Sequence, residues 1–231
     1  MTALLEVMPF KGIDPAELER IEANSRVVEP RDGTKILSEG DPADAVYAVI
    51  GGSGHVRIGA IDRHSKGVMI EIFRTGDIFG DIGVIDGTTR SADAIAEGRV
   101  RLLRIPGHIF LEALNSNAKL GANLCLMFAA RLRRTSVLFR DATFESLEAR
   151  LARQVLYLGR REGRRTEQGL QLAGRFRQSD LADLLGATTR SIITILNSWR
   201  SDGLVVYDAA RAQLTLCRED DLQALVGPDA G

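Results

Sequence analysis

From about Ser25 to Ile105, short apolar runs alternate with glycine, aspartate and charged residues. They are KIL at 35–37, AVYAVI at 45–50, HVRIGA at 55–60, VMIEIF at 68–73 and VRLLRI at 100–105. Runs of this length bounded by turn residues predict short strands, and Gly51-Gly52-Ser53-Gly54 marks a tight connection between two of them. Several strands at this spacing argue for a compact β-barrel or double sheet. Ahead of them, Asp14 to Asn24 reads as a short helix, with Pro15 at its first position and Leu18 and Ile21 on one face.

Pro106 ends the strand phase. From Ala118 to Phe144 there is no proline and Gly121 is the only glycine, so a long helix is expected. Gly121, Cys125, Phe128, Leu132, Thr135, Phe139 and Ala142 recur at alternating intervals of four and three, the repeat of a coiled-coil seam. A helix packed on its own domain produces the same apolar spacing, so the pattern leaves both readings open. Thr135 is a polar interruption in either case.

Ser146 reads as the N-cap of a further helix whose apolar face is Leu147, Leu151, Val155 and Leu158. The charged stretch at 159–169 reads as a surface turn. Next, Ser179 is placed to cap a helix carrying Leu181, Leu184 and Leu185, and Gly186 to supply a turn with positive φ. Thr188 is placed to cap a second helix, with Ile192, Ile195, Leu196 and Trp199 turned to a core. Two short strands follow, LVVY and QLTL. Helix, glycine turn, helix and two-stranded wing together describe a winged helix-turn-helix.

Length and composition change this picture little. A chain of 231 residues has room for one large or two small domains, and 45% apolar with 26% charged residues is ordinary for a globular protein. The opening residues show no basic-then-apolar leader, and no window approaches 18 uncharged apolar residues. Cys125 and Cys217 lie far apart, outside any metal or iron–sulfur pattern, and His55, His64 and His108 form no evident haem-ligand pair. These readings agree on a cytoplasmic protein with no metal, haem or iron–sulfur cluster. Charge is more informative. The net −1 divides into −4 over residues 1–130 and +6 over 131–211, and a basic segment within an acidic chain is the footprint of a polyanion-binding surface.

At the helix-turn-helix, the first turn of the second helix is the part that enters a major groove, which selects Thr189, Arg190 and, one turn on, Thr194. Arg190 is the candidate base reader, since a guanidinium can donate twice to guanine. Arg177, Thr188 and Ser191 are expected to contact the DNA backbone. No Ser/His/Asp set, metal-ligand set or P-loop is present, so an enzyme is not expected.

The segment RTGDIFGDIGVIDGTTRSADAIAEGRVRLLRI resembles the phosphate-binding cassette of cyclic-nucleotide-binding domains. With the helix-turn-helix behind it, the chain resembles, from roughly Asp14 to Leu216, the cAMP receptor protein (CRP/FNR) family of bacterial transcription regulators. The resemblance implies an α+β architecture in three parts. These are a cyclic-nucleotide-binding β-barrel of jelly-roll type over 1–117, a dimerisation helix and hinge over 118–145, and a winged helix-turn-helix over 146–231.

The resemblance also implies roles for residues. Arg90 and Ser91 would hold the cyclic phosphate, with Gly80, Asp81 and Ile82 beside the ribose. Asp81 stands where the family usually has glutamate, so its reach to the 2′-hydroxyl is one methylene shorter. Thr135 and Ser136 would present hydroxyls to the base across a homodimer. The implied effector is cAMP or cGMP, and hydroxyls alone do not separate the two purines. The implied partners are a second copy, a pseudo-palindromic double-stranded operator and RNA polymerase, with no membrane. A regulator of the same fold with a different or no effector, and a cyclic-nucleotide-binding regulatory subunit that does not bind DNA, are the alternatives.

Overall fold

The runs AVYAVI and VRLLRI form strands whose alternate residues face two different cores. The computed structural model describes residues 2–61, 67–173 and 176–226. Two compact units result, one built from Met1–Ser65 and Ile70–Arg134, the other chiefly from Thr135–Gly231.

In the first unit, β1 (Arg26–Val28), β3 (Ala45–Gly52), β6 (Ile78–Phe79) and β8 (Val100–Pro106) form one sheet in the order β1-β8-β3-β6. The second sheet, ordered β2-β7-β4-β5, comprises β2 (Lys35–Leu37), β4 (His55–Ile61), β5 (Gly67–Phe73) and β7 (Asp93–Glu97). Tyr47, Val49, Val56, Phe73, Phe79 and Leu102 fill the space between the sheets. Tyr47 stacks on Phe79 at 5.2 Å between centroids. The intervening residues Val46, Ala48, Leu103 and Ile105 turn outward to a layer of helices. A slip of one residue would exchange the two sets, so this alternation sets the register.

The helical layer holds α1 (Pro15–Ala23), α3 (Gly107–Ser116) and the first half of α4 (Ala118–Phe144). Asp14 caps α1 through the Ala16 N–H at 2.8 Å. Leu120, Leu124 and Met127 of α4 are buried among Phe10, Phe110 and Ile105. The buried amide of Asn123 donates to the carbonyls of Pro9 and Lys11, at 3.0 and 2.9 Å, tying the N-terminal turns to α4.

The long helix spans the predicted residues, but the expected seam differs. Phe128 packs against its own core and Gly121 is half buried, because Leu120, Leu124 and Met127 pull that side inward. The exposed side carries Cys125, Leu126, Leu132, Thr135, Ser136, Phe139 and Ala142. Leu132 and Phe139 are 69% and 76% exposed, unusual for side chains of that size.

After the C-terminal part of α4, the second unit continues with α5 (Leu147–Glu162), capped by Ser146 through the Ala149 N–H. The segment at 159–169 is more than a turn. It ends α5 and supplies β9 (Arg164–Thr166), which pairs with β10 (Gly169–Gln171). With β11 (Val205–Asp208) and β12 (Gln213–Leu216) these form a sheet ordered β11-β12-β10-β9. α6 (Gln178–Leu185) and α7 (Thr189–Ser201) follow the hairpin, and α8 (Glu219–Val226) packs against α5. Ser179 does not cap α6. The cap position is Arg177, whose N–H donates to Asp180 at 2.7 Å. Gly186 takes the left-handed conformation at φ 60°, as the turn requires.

Candidate ligand site and nucleic-acid interface

The short helix α2 (Asp81–Asp86) starts from Gly80, which sits in the left-handed region at φ 74°. A side chain there would also collide with Nη1 of Arg90, since a Cβ would lie 2.9 Å from it. Arg90 explains the close approach. Its side chain is buried beneath α2, and Nη1 donates to the carbonyls of Ala45 and Gly80, each at 2.8 Å. Nη2 lies 3.1 Å from Oδ1 of Asp44, while Nε is buried with no hydrogen-bond partner among the described residues. Asp44 also pairs with Arg104. The two carboxylates closest to Arg90 in sequence pair elsewhere: Asp86 receives Thr88, and Asp93 receives Lys35 at 2.8 Å.

Asp81 is 2% exposed and bound by a residue that the motif reading does not single out. Arg131 of α4 donates to Asp81 Oδ2 at 2.9 Å and to the Ile78 carbonyl at 2.7 Å, its guanidinium 4.8 Å from the Phe73 ring centre. Burial pushes the Asp81 carboxyl above the usual carboxylate range, and Arg131 acts against that rise. One turn further along α4, Arg134 Nε lies 3.0 Å from Glu71 of β5. The signal for both arginines is in the spacing. The inner face of α4 runs Leu120, Leu124, Met127, Arg131, Arg134, so a core stripe continues in arginine.

The contacts thus bring together Gly80, Asp81 and Arg90, and add Asp44 and Arg131 to them. Ile82 is 47% exposed, so its side chain faces away from the core. Ser91 is exposed, as are Thr135 and Ser136 on α4. His64 lies outside the described residues. Among those described, no helix is long and apolar enough to cross a membrane, and no group of three potential metal ligands is found.

In the second unit, Thr188 caps α7, its hydroxyl accepting from the Ser191 N–H at 3.2 Å and meeting the Ser191 hydroxyl at 2.8 Å. Ile192, Leu196 and Trp199 are buried, and Trp199 donates from its indole to Glu148 at 2.8 Å. That fixes the helix by its inner face and leaves Thr189, Arg190 and Thr194 exposed, with Asn197 continuing the same face. Thr194 turns its hydroxyl back to the Arg190 carbonyl at 3.0 Å.

Two family models match: a cyclic nucleotide-binding domain over residues 27–117 and a Crp-like helix-turn-helix domain over 149–225. The chain is 25% identical over 196 residues to the CRP-like cAMP-activated global transcriptional regulator of Mycobacterium tuberculosis, covering 85% of this chain and 87% of that one. The chain belongs to the CRP/FNR family of transcription regulators. Solved structures agree in fold. FixK2 from Bradyrhizobium japonicum superposes with a TM-score of 0.78 at 21% identity, over 89% of this chain and 99% of its own. The c-di-GMP responsive global regulator CLP of Xanthomonas campestris gives 0.74 at 23% identity, over 88% and 99%. As a CRP/FNR member the chain is a cyclic-nucleotide-binding, DNA-binding regulator, and the family is not one of enzymes. Both matched domains carry the residues described above, the cassette from Gly80 to Ser91 in the first and the helix-turn-helix in the second.

Proposed function

We propose that this CRP/FNR regulator is a cytoplasmic homodimer that binds cAMP or cGMP at Gly80, Asp81, Ile82, Arg90 and Ser91, and uses that binding to set operator affinity. The observation that carries the reading is Arg90. A guanidinium buried against Gly80, with Nε left without a partner, is a fixed cation holding a donor in reserve. A cyclic phosphodiester supplies one negative charge and oxygens to accept from Nε and from Nη2, the latter in exchange for Asp44. Each such bond is worth roughly 1.5–3 kcal/mol net of the hydration it replaces. The Ser91 hydroxyl stands one residue away as a further donor. Arg131 shares Asp81 with the ribose.

The exposed stripe of Leu132, Phe139 and their neighbours supports a second copy as the partner of α4, and with that partner the exposed Thr135 and Ser136 would lie on the dimer side. At the other end Arg190 and Thr194 read bases, Thr189 lies beside them, and Arg177, Thr188 and Ser191 hold phosphates of a pseudo-palindromic operator, where RNA polymerase is the further partner. Coupling requires that nucleotide favour the DNA-competent state. A swing from 1:99 to 99:1 needs roughly 5.5 kcal/mol of differential affinity, expressed through the α4–α5 corner at Phe144–Ser146.

Titration calorimetry on nucleotide-stripped protein, with cAMP and cGMP as ligands and Arg90→Ala as control, tests the site. Micromolar or tighter binding that disappears in the variant is expected. No heat from either nucleotide would reject the effector assignment while leaving the DNA-binding fold intact.

A further inference from the structure

The Glu71–Arg134 pair lies within the first unit and has no part in the phosphate and ribose contacts. β5 places Glu71 two residues from Phe73, on the face that looks between the sheets. Arg134 lies three residues beyond Arg131, about 4.5 Å further along α4. A row follows: Arg90 at Gly80, Arg131 on Asp81 and over Phe73, then Arg134 on Glu71. The side chains of Arg134 and Glu71 are only 14% and 15% exposed. One Glu71 oxygen also accepts from the Ile72 N–H at 3.1 Å. With the phosphate at Arg90 and the ribose at Asp81, the base is the next group along the row.

We infer that Glu71 and Arg134 recognise the base, and that they select guanine over adenine. This rests on the cyclic-nucleotide reading of the same site. The pairing edge of guanine presents O6 as acceptor, then N1–H and the N2 amino group as donors. Arg134 donates to O6, and the Glu71 carboxylate accepts from N1–H and N2–H. Adenine reverses the order: its N6 amino group would meet the guanidinium, and its N1 lone pair would meet the carboxylate. Both contacts are then wrong in a site where polar groups are shielded from water, so discrimination is strong. A charged hydrogen bond of this kind corresponds to roughly ten- to hundredfold in affinity.

The experiment is titration of the full-length, nucleotide-stripped protein with cAMP, cGMP and cyclic di-GMP, in the wild type and in Glu71→Gln. The wild type is expected to bind a guanine nucleotide at least tenfold more tightly than cAMP, and Glu71→Gln to erase that ratio. Which of the two guanine ligands binds identifies the source of the base. Equal affinities or a cAMP preference in the wild type would overturn the inference while the effector site stands. An equal loss for all ligands in Glu71→Gln would also overturn it, reducing the pair to a fastening of α4. Should no nucleotide bind the wild type, the effector reading itself fails and takes this inference with it.

Discussion

Arg131 Nη1 lies 2.9 Å from Oδ2 of Asp81, and the carboxylate it meets is almost wholly removed from water. The aspartate of the cassette is therefore tied to α4, the helix that also carries the large exposed apolar side chains.

Removing Arg131 strands a buried carboxylate. Arg131→Met is expected to cost about 2–4 kcal/mol of stability in urea denaturation, and Arg131→Met with Asp81→Asn to recover much of it. Additive losses in the double variant would show that the two residues act independently.

Acid should loosen the first unit through Glu97. Burial raises this carboxyl, but hydrogen bonds and charge from His55 and Arg57 outweigh it and hold it at about 2. Because the folded value lies below the ordinary 4.5, its contribution is complete above pH 4.5 and is lost as pH falls towards about 2. Glu97→Gln should flatten the acid limb of a stability-versus-pH curve in that window, and an unchanged limb would assign acid sensitivity elsewhere.

The exposed side of α4 is expected to be an interface. Leu132→Glu with Phe139→Glu should halve the mass seen in sedimentation and weaken operator binding, because a monomer engages one half-site. An unchanged mass would place the dimer contact on another surface.

At the DNA, two arginines should behave differently. Arg190→Ala is expected to cost about 1–3 kcal/mol on the preferred operator and to relax one base position. Arg177→Ala should weaken all sequences alike and reduce the salt slope by about one. Fluorescence anisotropy across an operator library and a salt series separates them, and identical profiles would contradict the division.

Much of this was legible in the sequence because local chemistry sets it. The runs from KIL to VRLLRI form β2, β3, β4, β5 and β8, and Asp14, Ser146, Gly186 and Thr188 terminate helices as their types suggest. β7 was harder to see, since DAIAE has two alanines where a strand usually shows larger residues. The partners of the cassette were harder still. Asp44 meets Arg90 across 46 positions and Arg131 meets Asp81 across 50, distances that no local pattern encodes. On α4 the periodicity of Gly121, Phe128 and Leu132 mixed two faces of one helix. Only burial tells the side that covers Phe110 from the side that carries Phe139.

The six residues of α2 lie between two left-handed glycines, Gly80 at φ 74° and Gly87 at φ 72°. A helix this short cannot sustain itself, so it survives on what its side chains and flanking carbonyls are attached to. Its amides should accordingly exchange with solvent deuterium well before those of β3 and β8. Effector binding would then register as slowed exchange in a few peptides from Gly80 to Gly87, and, because coupling is reciprocal, operator DNA added to a half-saturated sample should slow the same peptides further.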